Sequence, residues 1–157
     1  GNPDRNEICT IFKQDLESLG IKVNYRPLEF TTLVDKLDSS FDWDCILIGF
    51  GGVIEPNGGS NLYRSSGNLH LWNPNQPKPA TAWEAEIDKL LDQGASEMDP
   101  TKRAPYYWKI QEILHDQLPM IQTVRRKQYW AWRSSLENFQ PKVWGLYKPE
   151  WIQFKAD

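Results

Sequence analysis

The chain has 157 residues, 39% of them hydrophobic, enough to bury one substantial core and too few for two independent ones. A formal charge of −3, with Lys and Arg scattered except at Arg125, Arg126 and Lys127, excludes the basic footprint of a nucleic-acid partner. No run reaches the roughly 18 apolar residues of a membrane span, the most hydrophobic stretch being the short segment 45–50.

The chain opens on a helix cap, Asn2 followed by Pro3 at the first helical position. A start so close to an element implies that further sequence, including any targeting segment, precedes residue 1. Ile8, Ile11, Phe12, Leu16 and Leu19 recur at helical spacing, and Gly20 supplies the left-handed end. Next, Ile21, Val23 and Tyr25 alternate with polar residues as a strand does, and Pro27 ends the run. Thr31 or Thr32 caps a short helix carrying Leu33, Val34 and Leu37. Cys45, Ile46, Leu47 and Ile48 then form a continuous apolar run, the pattern of a strand covered on both faces. Helix, strand, helix and buried strand in succession imply right-handed crossovers and a mostly parallel sheet. Cys9 and Cys45 both fall in apolar segments, which favours two buried free thiols over a disulfide.

Between residues 49 and 81 the pattern dissolves into glycine, asparagine and proline, including Gly51, Gly52, Gly58 and Gly59. A structureless stretch of that length inside a domain is usually functional, and it leaves the C-terminal end of the buried strand, where open α/β sheets place their ligands. From Thr81 a helix carries Trp83, Ile87, Leu90 and Leu91 on one face; Asp99 and Pro100 cap another carrying Tyr107, Ile110, Leu114 and Leu118. Pro105 bends this second helix if its first turn is already complete. Trp83 and Trp108 are expected in core or interhelix packing. Leu118-Pro119-Met120-Ile121 is expected to lead into a short strand, with another at 129–132 and an irregular aromatic stretch from Ser135 onward.

In this order and spacing the pieces resemble the C-terminal part of the oligopeptide, dipeptide and nickel class of ABC-transporter substrate-binding proteins (extracellular solute-binding family 5). The carriers are Asn2-Pro3 before a helix, Leu19-Gly20-Ile21-Lys22-Val23 after it, and Phe41-Asp42-Trp43-Asp44 ahead of the apolar run. Trp83-Glu84-Ala85-Glu86-Ile87, Asp99-Pro100-Thr101-Lys102-Arg103, Ile110-Gln111-Glu112-Ile113-Leu114 and Leu118-Pro119 continue the match. The resemblance implies an α/β, periplasmic-binding-protein-like lobe with a mostly parallel sheet flanked by helices, plus an irregular C-terminal segment. Residues 1–126 would form the second lobe, and 127–157 would return to a first lobe of the same protein that lies outside this sequence. It further implies a protein without catalytic activity, in the periplasm or lipid-anchored at the cell surface; no cofactor or metal is expected from the residues present. Such a protein captures a peptide or an oligosaccharide and delivers it to an ABC permease in the membrane.

Peptide-binding relatives carry an aspartate in the loop after the buried strand, pairing with the ligand's α-ammonium group. The corresponding step here is Phe50-Gly51-Gly52-Val53; a valine cannot pair an ammonium, and Glu55 is the nearest substitute. That departure favours a ligand without a fixed positive charge, such as an oligosaccharide. Phe50, Tyr63 and Trp72 suit stacking on sugar rings, while Asn57, Asn61 and Asn73 suit exchange of hydrogen bonds with hydroxyls. The expected ligand wall is therefore Phe50, Gly51, Gly52, Glu55, Asn57, Asn61 and Trp72. Against it, Phe50 and Trp72 read equally well as packing under a long loop, and Glu55 beside Pro56 as turn chemistry. Arg64 binds a carboxylate or sits in solvent. Trp130, Trp132, Trp144 and Trp151 are expected to meet the first lobe.

Other chemistries find little support. No Gly-Lys-Ser or Gly-Lys-Thr step follows the glycine pairs, against a phosphate loop, and His70 and His115 have no metal-ligand spacing. Two alternative classes remain: a carboxylate-dependent hydrolase using Glu55 with Asp42 or Asp44, and a protein–protein interaction module built on the aromatic C-terminal stretch.

Overall fold

A computed structural model describes residues 2–53, 55–125, 127, 129–142 and 145–155; Arg126 and Trp144 lie outside the described residues. The chain divides into two compact units, Gly1–Ile121 and Gln122–Asp157.

In the first unit, α1 (Pro3–Ser18) starts as the sequence predicts. The Asn2 side chain accepts from the Arg5 amide at 3.2 Å, filling one of the orphan donors of the first turn. Its end is a Schellman motif: Gly20, at φ +82°, donates to Glu17, and Ile21 donates back to Leu16, both at 3.0 Å. No α1 residue is buried, and Ile11 and Leu19 are mostly exposed. Helix α2 (Phe30–Asp35) has Glu29 at its N-cap, so Thr31 and Thr32 lie inside its first turn and do not cap it. A π-helical turn, Lys36–Ser40, follows and ends at Phe41 in the left-handed region.

Strands expected at 21–25, at 45–48, after 118–121 and at 129–132 are not observed among the described residues. An apolar run becomes a strand only when a neighbour supplies its ladder hydrogen bonds, and no described segment does so for these four. Cys45 is exposed and Cys9 half-buried, so the expected burial of both fails.

The stretch 49–81 is not structureless. It holds a 3₁₀ turn at Pro56–Gly59 and a short helix, α3 (Ser60–Tyr63). Beyond it the core is an antiparallel pair, α4 (Ala82–Ser96) and α5 (Pro100–Gln117), built on Ile87, Leu90, Leu91, Tyr107 and Ile110. Burial of each such side chain stabilises by about 1.5–3 kcal/mol. Gly94 lets the helices close up: a Cβ there would lie 2.8 Å from Tyr107 Cζ. Asp99 caps α5 through the Thr101 amide at 2.9 Å. Pro105 sits in the second turn, yet α5 runs on to Gln117, so the missing N–H costs a hydrogen bond without ending the helix. Trp83 packs against the core, but Trp108 is 62% exposed. It follows Tyr107 by one position, about 100° round the helix and off the buried stripe. Leu118 lies past the helix end, also exposed.

The second unit has its strands where the sequence looks irregular. β1 (Leu136–Glu137) pairs antiparallel with β4 (Gln153–Phe154), and β2 (Pro141–Lys142) with β3 (Gly145–Leu146). Phe139 receives Trp132 at 5.0 Å and Trp130 at 6.2 Å between ring centroids, and Lys148 Nζ lies 3.6 Å over the Trp151 ring. Among the described residues no helix is long and apolar enough to cross a membrane.

Candidate functional site

Residues expected to form one ligand wall separate into two sets. Phe50, Gly51, Gly52 and Val53 form an exposed run with no regular structure, Phe50 being 43% exposed. Nothing lies within 4 Å of a Cβ placed on Gly51, so a ligand backbone can approach there. Val53, in the place where the family resemblance puts an aspartate, rests against Gly58.

The second set is engaged within the protein. Glu55 accepts from the Asn57 amide at 2.8 Å, capping the 3₁₀ turn, and its other oxygen lies 3.8 Å from Arg103 Nε. Asn61 accepts from the Asn68 amide at 2.9 Å through its side chain and from the Leu69 amide at 3.2 Å through its carbonyl. Asn73 donates to Gln76 at 2.7 Å. Arg64 pairs with Asp92 at 2.6 Å. Asp42 pairs with Lys36, which holds its carboxyl below the usual range through that hydrogen bond and charge.

Trp72 belongs to a cluster the sequence reading missed, centred on Glu84. This carboxylate is 2% exposed. It accepts from His70 Nε2 at 3.0 Å, Trp72 Nε1 at 3.3 Å and Gln76 Nε2 at 3.2 Å, and from the Ala80 and Thr81 amides at 2.9 and 2.8 Å. Thr81 Oγ1, at 3.0 Å from Glu84, accepts in turn from the Glu84 amide at 3.2 Å, completing a capping box. Burial alone raises the Glu84 pKa; hydrogen bonds from His70, Thr81 and Gln76 outweigh it and bring the value down to about 2. The Thr-x-x-Glu step at 81–84 was the signal available in the sequence. The arrivals from the loop were not.

A shallow cavity of about 220 Å³ lies between Pro56 and the α5 residues Arg103, Tyr107 and Trp108. Among the described residues no group of three His, Cys, Asp or Glu side chains is placed to hold a metal.

Comparison with known proteins gives a distant relationship. Over 145 residues, 89% of this chain, the sequence is 23% identical to the oligopeptide-binding protein AppA of Bacillus subtilis (strain 168). The chain spans 25% of that relative's length. No family model matches, and no solved structure does.

Proposed function

We propose that this chain is part of an extracytoplasmic peptide-binding protein that delivers its ligand to an ABC permease. The observation that carries this reading is the similarity to an oligopeptide-binding protein across nearly the whole chain, in the same direction as the motif order. The fold proposed with it is one wall of a two-lobed cleft, in which 21–25 and 45–50 join a mostly parallel sheet completed by the rest of the protein. Residues 127–157 return to the other lobe.

Within that wall, Phe50, Gly51 and Gly52 face the ligand. Peptide main chain runs close to the glycines, and Phe50 covers an apolar side chain. Engagement of Trp72 with Glu84 removes one of the aromatic platforms a sugar would use, so peptide is favoured over oligosaccharide. Val53 argues for recognition of peptide backbone and side chains without an anchor for the α-ammonium group. Capture works by population shift: contacts from both lobes coexist only in the closed form, which the ligand stabilises.

The test is a thermal-shift screen of the full-length protein against short peptides, N-acetylated peptides and oligosaccharides, since a ligand of the folded state raises Tm by linkage. Peptides, acetylated or free, are expected to raise Tm alike. A rise with sugars alone would overturn the peptide reading, and a rise confined to free amino termini would overturn the role given to Val53.

A further inference from the structure

Arg5 of α1 reaches the apolar segment 45–49 at Gly49. The Arg5 Nη2 atom is 2.9 Å from the point a Cβ on Gly49 would occupy, so the side chain crosses the segment where it has no side chain of its own. One helical turn onward from Arg5 is Cys9, and four residues back from Gly49 is Cys45. In a helix positions i and i+4 share a face, and in an extended run so do i and i+4. The lengths agree as well. One turn advances about 6 Å and an arginine side chain on a helix leans N-terminally with a similar reach, together close to the about 13 Å that four residues span when extended.

We propose that Cys9 and Cys45 form a disulfide site that ties α1 to the 45–49 segment when the protein meets an oxidising thiol–disulfide pool. Burial chiefly, and the neighbouring Cys45 next, push the Cys9 thiol up, while contact with Tyr25 acts against both. Tyr25 is itself fixed, its hydroxyl donating to Asn6 Oδ1 at 2.8 Å, so it holds the Cys9 side of the pair in place.

The chemistry is ordinary exchange with a low-molecular-weight disulfide such as oxidised glutathione. The exposed Cys45, as thiolate, attacks one sulfur of the reagent and expels one thiolate, leaving a mixed disulfide. Cys9, once deprotonated, attacks the Cys45 sulfur and expels the second. Two electrons pass from the cysteine pair to the reagent, and the two protons lost by Cys9 and Cys45 end on the two released thiols. Because Cys9 is half-buried and its thiol is raised, the second step is the slow one. Its rate follows the thiolate fraction, rising about tenfold per pH unit in the range below the Cys9 pKa.

The experiment incubates the reduced, native protein with oxidised glutathione, follows free thiols colorimetrically and maps non-reduced peptides by mass spectrometry. Expected are loss of both thiols in a monomer, a linked peptide pair containing Cys9 and Cys45, and a final phase that accelerates with pH. The Cys9→Ser variant should stop at a stable glutathione adduct on Cys45. A wild-type protein that also stops there, that dimerises through Cys45, or that keeps both thiols free overturns the proposal, and none of these outcomes depends on a variant folding.

Discussion

Glu84 and His70 form a buried pair, Oε1 to Nε2 at 3.0 Å, with both residues at most 2% exposed. His70 arrives from the loop and Glu84 from the first turn of α4, so one contact fixes the end of a long irregular segment to the start of the main core helix. Trp72 and Gln76 converge on the same carboxylate. A buried acceptor with this many donors is stable only while all of them are in place.

Removing the acceptor should therefore unfold more than a helix cap. Glu84→Ala leaves the buried His70 and the half-buried Trp72 donors unpaired, and the expected loss is about 3–5 kcal/mol, against about 1 kcal/mol for an ordinary cap. Urea unfolding of the two proteins gives the difference; a loss near 1 kcal/mol would show that the loop does not depend on Glu84.

The same carboxylate sets an acid limit. Its folded pKa of about 2 lies below the unfolded value of 4.5. The sign is that of a depressed acid: its contribution is complete above the unfolded value and is lost as pH falls toward about 2. Its size is on the order of 3 kcal/mol. Unfolding midpoints measured from about pH 5 down to about pH 2 should fall more steeply in the wild type than in Glu84→Gln.

Two aspartates on α4 give a contrast. Asp88 accepts from the Ser65 amide at 2.8 Å and from its hydroxyl at a residue 2% exposed, whereas Asp92 makes an ion pair with Arg64 while its own side chain is 68% exposed. Asp88→Ala is expected to cost about 1–3 kcal/mol and Asp92→Ala under about 1 kcal/mol. Equal losses in thermal or urea unfolding would contradict this.

Gly94→Ala drives a methyl group into Tyr107, with an expected loss of about 1–3 kcal/mol. The Tyr107 hydroxyl is buried without a protein partner, so Tyr107→Phe should be nearly neutral, within about 1 kcal/mol. Both values come from the same denaturation series.

Helices were the legible part of this chain, because their signals are local. Asn2 with Pro3, Gly20, Thr81 and Asp99 each mark an end within a few residues of the pattern they bound, and the structure places caps at all four. The apolar run at 45–48 was less informative. Its strand character depends on a partner that sequence periodicity cannot supply, and without one Cys45 lies exposed. Trp108 illustrates a finer limit: hydrophobicity suggested packing, but its phase beside Tyr107 put it in solvent. In the candidate site, Phe50 is exposed and the space at Gly51 is open. Trp72, Asn61 and Glu55 looked equally available because their partners, Glu84, Asn68 and Arg103, lie further along the chain and meet them only on folding.

The central claim is that the 50–53 run meets a peptide, and calorimetric titration of a short acetylated peptide into the full-length protein tests it most directly, with Phe50→Ala beside the wild type. Phe50→Ala is predicted to weaken binding at least about tenfold, or about 1.4 kcal/mol, with the ligand-free Tm unchanged. Absence of peptide binding to the wild type, or equal affinity in Phe50→Ala, would contradict the account.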